Sequence, residues 1–212
     1  MPNAVEPLVL IVSGPSGSGK STLVEKILEL PGTMFSISCT TRKPRAAENP
    51  GKWYDFVSEA EFDSMVQRGE FLEHARVFGK NWYGTPRKWL DEARRKGLDL
   101  VLEIDVQGAR QLRDLEARQK LPPLVAVFIV PPSRQELERR IRARGQDSEE
   151  EIARRLERAR QEIQHYKDYD FIVVNDDLER AGREVQAIAV AARRHTGRTT
   201  PQVSKILATF GG

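Results

Sequence analysis

Residues Pro7 to Thr22 read "PLVLIVSGPSGSGKST". The run Leu8–Val12 is apolar without alternation, the pattern of a strand buried on both faces, as in a parallel sheet. It leads into Gly14, Pro15, Ser16, Gly17, Ser18, Gly19, Lys20 and Ser21, a match to G-x-x-x-x-G-K-[ST]. Leu23, Ile27 and Leu30 follow at helical spacing, up to the stop at Pro31-Gly32. Strand, glycine loop and helix together give the motif its physics. Glycines that reach positive φ turn successive N–H groups onto one anion. The helix adds its unpaired N-terminal donors and the positive end of its dipole. Lys20 then reaches the outer phosphates of a nucleoside triphosphate, and the Ser21 hydroxyl is a ligand for Mg²⁺. Gly14 to Thr22 are expected to cradle such a triphosphate.

Outward from this loop, strand-like runs recur at Leu98–Asp105, Leu124–Val130 and Asp170–Asn175. Helical stretches lie between and after them, at Ala109–Lys120, Ser133–Ala143, Ser148–Lys167 and Leu178–Arg194. The alternation predicts an α/β fold with a parallel sheet flanked by helices on both faces. Ser58-x-x-Glu61, Ser133-x-x-Glu136 and Ser148-x-x-Glu151 are capping-box starts, so the last two helices are separate units. Residues 38–96 break the alternation with loops, one short helix at Glu59–Arg68 and aromatic-rich strand fragments, and read as an insertion. Residues 195–212 read as a breaker-rich link and a short apolar tail. The chain is expected to form one domain: a core of 1–37, 97–132 and 168–194, the insertion, and a helical segment 133–167.

The charge balance, 34 Lys plus Arg against 31 Asp plus Glu among 212 residues, gives a net +3, which calls for neither nucleic acid nor a membrane surface. A single cysteine excludes an internal disulfide. The N-terminal apolar run has no basic segment before it and reads as a strand rather than a leader, which points to the cytoplasm.

A second set of cations lies in "SISCTTRKPRAAENPGKWY", Ser36–Tyr54. Arg42 and Arg45 are three apart, and in a turn their two-pronged guanidinium groups can face one dianion. Ser38, Tyr54 and Tyr83 supply hydroxyls in the same region, and Glu48 and Glu73 supply carboxylates. A carboxylate accepts two parallel N–H bonds. Guanine offers that pair and adenine does not, so a site built on it rejects the wrong base. On residue types alone the stretch reads equally as a solvated basic loop beside core aromatics. A GTPase is disfavoured: "DVQG", Asp105–Gly108, imitates its D-x-x-G element, but N-K-x-D occurs nowhere in the chain.

"GPSGSGKST", "SCTTRKPRAAE" (Ser38–Glu48), "GEFLEHA" (Gly69–Ala75), "YGT" (Tyr83–Thr85), "LEIDVQGA" (Leu102–Ala109), "PPSRQELERRIRARGQDSEEEIARRL" (Pro131–Leu156) and "VVNDDL" (Val173–Leu178) resemble, in order, the guanylate kinases. The similarity runs from about Leu8 to Arg194. The resemblance implies a P-loop fold with a GMP-binding insertion and a mobile helical lid. It implies a Mg²⁺-dependent transfer of the γ-phosphoryl group of ATP to GMP, giving ADP and GDP, in purine nucleotide metabolism and GMP recycling. The GMP phosphate would be held by Arg42, Arg45, Tyr54 and Tyr83, with Glu48 orienting them. Ser38 and Glu73 would read guanine, with Thr85 beside them, and Glu103 and Asp105 would lie near GMP and Mg²⁺. Ala47 replaces the family's usual glycine, "GKNWYG" is one residue longer than its usual form, and Glu103 stands where Asp is common.

Arg140, Arg144 and Arg155 lie on the two capped helices. Glu136–Arg140 and Glu151–Arg155 have the spacing of i,i+4 ion pairs on a solvated face; the resemblance makes Arg140, Arg144 and Arg155 lid arginines instead. Arg139, Arg142, Arg154 and Arg158 stay with the solvated reading. The catalytic set implied is Lys20, Arg42, Arg140, Arg144 and Arg155, without a general base. His74, His165 and His195 are scattered and read as structural or solvated. The implied partners are the small molecules ATP and GMP, and monomer and homo-oligomer are both compatible with the sequence. A kinase for another monophosphate, a non-catalytic module and a nucleic-acid binder are the rival readings.

Overall fold

The computed structural model describes residues 6–44, 51–77, 79–143, 145 and 147–210. Arg45, Glu48 and Arg144 lie outside the described residues, as does Ala47. The central sheet has five parallel strands, β1 (Val9–Ser13), β2 (Thr33–Phe35), β7 (Asp99–Glu103), β8 (Leu124–Val130) and β9 (Phe171–Val174), in the order β2-β7-β1-β8-β9. The unbroken apolar run of β1 is explained by its two faces. Val9 and Ile11 join Leu90, Ala93 and Leu112 in one core, and Leu10 and Val12 join Leu23, Ile27 and Val185 in the other. Those partners come from α3 (Lys88–Lys96) and α4 (Val106–Ala117) on one side, and from α1 (Lys20–Leu28) and α7 (Leu178–Arg193) on the other. A strand covered on both faces has no polar side to show, hence no alternation.

Residues 38–96 are more regular than loops and fragments. A second sheet, in the order β4-β3-β6-β5, is built from β3 (Ser38–Thr40), β4 (Tyr54–Phe56), β5 (Phe71–Val77) and β6 (Asn81–Pro86). α2 (Glu59–Gln67) supplies Phe62, which is fully buried between Phe71 and Trp82 at ring separations of 4.6 and 5.9 Å. The helix α3 was absent from the expectation for this stretch. Its nine residues bury only Leu90 and Ala93, one turn apart, before the left-handed Gly97 ends it. Two apolar residues in a highly charged helix are a faint periodic signal.

Helices α5 (Arg134–Ala143) and α6 (Glu149–Ile163) enclose their own apolar cluster of Leu137, Ile141, Ile152, Leu156 and Ala159. The three cap hydroxyls bond as the spacing requires: Ser58, Ser133 and Ser148 accept from the backbone N–H of Glu61, Glu136 and Glu151 at 3.2, 3.1 and 3.3 Å. α6 passes into a 3₁₀ turn at Gln164–Asp168, so the long helical expectation to Lys167 holds in two parts. The C-terminal reading is corrected: α8 (Thr196–Ala208) is one helix, not a link and a tail. Thr199 N–H bonds to the His195 carbonyl at 3.2 Å and opens it.

Candidate active site

Three loops that carry motif residues leave the carboxyl ends of central-sheet strands, where open α/β sheets place their ligands. β1 leads into the glycine loop, β7 into Glu103 and Asp105, and β9 into Asn175. In the loop, Gly14 has φ +140° and Gly19 φ +94°. A Cβ on Gly14 would lie 2.1 Å from the Ile129 carbonyl oxygen, and one on Gly19 would lie 2.2 Å from Asn175 Nδ2. Both glycines are therefore demanded twice, by backbone angle and by space. Gly14→Ala should cost about 2 kcal/mol or more, because the obstacle is main chain; a urea midpoint unchanged from the parent would contradict this.

Gly19 caps α1 without a side-chain bond, which leaves the first N–H groups of the helix for an anion. Lys20 folds back over the loop, with Nζ 2.8 Å from the Gly14 carbonyl and 3.0 Å from that of Pro15. Ser21 Oγ donates to Glu103 Oε1 at 3.1 Å. Asn175, 4% exposed, donates from Nδ2 to the Ser18 carbonyl at 2.8 Å and holds the loop from behind.

The second sheet brings the other set together through its register. Ser38 pairs with Tyr54, Cys39 faces Gly84, and Glu73 faces Thr85. One further step of the antiparallel register puts Ser38 opposite Thr85, so Tyr54, Ser38, Thr85 and Glu73 form a row across four strands. An irregularity between Phe71 and Glu73 sets this phase. The strand period of two then sends Glu73, Ala75 and Val77 to the same side, and all three line the cleft. Arg42 joins the row: Nε donates to Tyr83 Oη at 3.0 Å, and the guanidinium lies 5.5 Å from the ring centres of Tyr54 and Phe56.

Glu73 is 5% exposed and accepts from Thr85 Oγ1 at 2.6 Å. Burial raises its pKa to about 7; the Thr85 bond opposes the rise, and the Asp105 charge adds to it. This is a carboxylate held out of water and short of partners, the state of a group built to receive donors.

Arg140, on α5, and Arg155, on α6, meet the glycine loop. Arg140 donates from Nη2 to the Asn175 carbonyl at 2.8 Å and reaches the Ser18 carbonyl at 3.5 Å, while Nε pairs with Glu136 at 2.7 Å. Arg155 donates from Nη2 to Ser16 Oγ at 2.7 Å and pairs with Asp147. Its buried Nε has no partner among the described residues. Two expectations from spacing are corrected. Glu151 pairs with Lys80 and Arg154 rather than with Arg155, because Arg155 turns toward the loop. Arg158 is not on the solvated face: one turn beyond Arg155, it bonds Glu162 at 2.8 Å and approaches Asp105 at 3.8 Å. Arg139, Arg142 and Arg154 do form exposed ion pairs, with Glu136, with Glu138 and Glu149, and with Glu151.

One cleft of about 310 Å³ is lined on one wall by Gly14, Gly17, Lys20 and Ser21, and on the other by Ser38, Arg42, Tyr54, Glu73 and Tyr83. Glu103 and Asp105 also line it.

Comparison with known proteins places the whole chain. The guanylate kinase family model matches residues 6–192. The chain is 46% identical over 200 residues to the guanylate kinase of Photobacterium profundum, covering 93% of each chain. It is 46% identical over 205 residues to that of Escherichia coli, covering 93% of this chain and 96% of the other. The crystal structure of guanylate kinase from Anaplasma phagocytophilum superposes with a TM-score of 0.74 at 37% identity, over 92% of this chain and 90% of that one. The chain belongs to the guanylate kinase family.

With the family comes the enzyme class, a nucleoside monophosphate kinase. Guanylate kinases use ATP and typically Mg²⁺, and the residues present suit both. Arg155, whose Nη2 bonds Ser16 of the loop and whose buried Nε has no partner among the described residues, and the N-terminus of α1, without a side-chain cap, offer donors to a triphosphate tail. The Ser21 hydroxyl with the Glu103 and Asp105 carboxylates is an all-oxygen set, which hard divalent cations prefer. Among the described residues no helix is long and apolar enough to cross a membrane.

Sequence reasoning did not find Asn175, Glu162 or Trp53 as parts of this guanylate kinase cleft. Glu162 and Trp53 line it, and Asn175 braces its loop. The only advance signal was the "VVNDDL" match, which named Asn175 without giving it a task.

Proposed function

We propose that the glycine-loop wall of the cleft holds ATP and the sheet wall holds GMP, and that the γ-phosphoryl group passes between them to give ADP and GDP. The observation that carries this reading is the single cleft shared by Lys20 and Ser21 on one side and by Arg42, Tyr54, Tyr83 and Glu73 on the other. Two polyanions must meet there. The attacking group is an oxygen of the GMP phosphate, already anionic near neutral pH, so the chain has no proton to remove. Its residues position the reactants and offset charge.

Gly14 to Thr22 bind the triphosphate through backbone N–H groups, and Lys20 leaves the carbonyls of Gly14 and Pro15 for the outer phosphates. Arg42 and Arg45, with Tyr54 and Tyr83, hold the acceptor phosphate, and Glu48 orients them. Ser38, Thr85 and Glu73 receive the guanine. Arg140, Arg144 and Arg155 are carried by the lid onto the transferred group, and closure keeps water from intercepting it. Ser21, with Glu103 and Asp105, would hold Mg²⁺, which supplies charge neutralisation at the phosphate oxygens. In this division 38–96 is the GMP-binding part, 133–167 the lid, and 1–37, 97–132 and 168–194 the core, with 195–212 following it. We place the enzyme in the cytoplasm, in purine nucleotide metabolism and GMP recycling.

The test is ADP formation from ATP with GMP, AMP, UMP and CMP offered separately. GMP should exceed the others by about a hundredfold or more in kcat/KM. Comparable rates with all four would reject the base assignment, and no rate with GMP would reject the whole reading.

A further inference from the structure

The "DVQG" segment has a use that the phosphate chemistry leaves unexplained. Asp105 caps α4, its Oδ1 accepting from the Gly108 N–H at 3.0 Å. Gly108 is the third residue of that helix and is buried. Alanine is the better helix former at such a position, so the helix itself gains nothing from glycine. The neighbour explains it. A Cβ on Gly108 would lie 2.5 Å from Glu73 Oε2, 2.9 Å from its Cδ and 3.4 Å from its Cγ. Those are overlaps with one side chain, and that side chain is the carboxylate standing opposite Thr85.

We infer that Gly108 is a positioning residue for base selection: the space left by its missing side chain is the space in which the Glu73 carboxylate lies. Oε1 is fixed from one side by the Thr85 hydroxyl at 2.6 Å, and Oε2 is given room from the other by α4. A Cβ at 108 displaces the free end of Glu73 rather than main chain, so it disturbs recognition before it disturbs the fold. This rests on the reading of Glu73 as the guanine acceptor.

The experiment uses the full chain carrying Gly108→Ala, Glu73→Ala and both. KM for GMP, KM for ATP, kcat and the melting temperature are measured for each. Gly108→Ala should raise KM for GMP by about tenfold or more, the effect of misplacing a charged hydrogen-bond acceptor. KM for ATP should stay within about twofold, since the loop wall is untouched. Added to Glu73→Ala, it should change KM for GMP by less than about twofold, because the group it acts through is gone. An unchanged KM for GMP in Gly108→Ala, or an equal factor in both backgrounds, overturns the inference. A Gly108→Ala protein that fails to fold and is restored in the Glu73→Ala background supports it; failure in both means that the Cβ meets main chain, which also overturns it. If Glu73→Ala alone leaves KM for GMP unchanged, the base reading itself fails, and that result is separate from the others.

Discussion

Lys20→Ala should lower kcat by about a thousandfold or more while GMP binds within about threefold of the parent affinity. Lys20 is the first residue of α1 and its Nζ rests on the carbonyls of Gly14 and Pro15, at the apex of the loop. Those two carbonyls are a resting place for the ammonium group. A phosphate oxygen is the stronger acceptor, being charged. Without the lysine, the loop keeps its N–H donors and the helix its dipole, so the triphosphate still binds, though less tightly. The charge developing on the transferred group then loses the cation aimed at it. The sheet wall is built from the strands of the second sheet rather than from the glycine loop, so GMP should not notice. Turnover by coupled assay and GMP affinity by calorimetry separate the two effects. Loss of GMP binding with ATP binding intact would reverse the assignment of the walls.

Glu73→Gln should reduce the preference for GMP over AMP by about a hundredfold. A carboxylate presents two acceptors to the paired N–H donors of guanine. Glutamine presents one acceptor and one donor, so one guanine N–H meets another N–H in a buried place. The same substitution should change two pH profiles. Burial holds the Glu73 pKa at about 7 in the empty protein, against an ordinary 4.5. On the proposed role of Glu73, GMP binds the ionised form, so parent affinity should rise as pH passes upward through 7. The GMP phosphate also titrates near this range, but equally for both proteins, and the difference between them reports the carboxylate. For stability the sign is opposite. A carboxyl whose folded pKa is raised contributes stability below its unfolded pKa, and that contribution is lost as pH rises through the folded value. Between about pH 4.5 and 7 the parent should therefore lose stability relative to Glu73→Gln. Parallel melting curves across that interval would show that Glu73 is not held protonated by burial.

The two walls were legible in the chain to different degrees, for a physical reason. The glycine loop is a local object. Eight consecutive residues carry its angles, its donors and its lysine, and the flanking strand and helix announce themselves by period. The capping serines are local in the same way, each bonding a backbone group three residues on. The parallel sheet followed from alternation, because a strand covered on both faces must be apolar throughout.

Nothing local places Glu73 beside Thr85 and Gly108. That meeting joins two antiparallel strands with the first turn of a later helix, and a one-residue change of register would send the carboxylate to the other face. Helical spacing allowed Arg155 to pair with Glu151 or to face the loop, and only the packing of α6 chose the loop. Arg158 followed it by one turn. Spacing along a chain states which partners are within reach; which one is taken depends on burial and on the surfaces that other segments bring, and those exist only after the chain has folded.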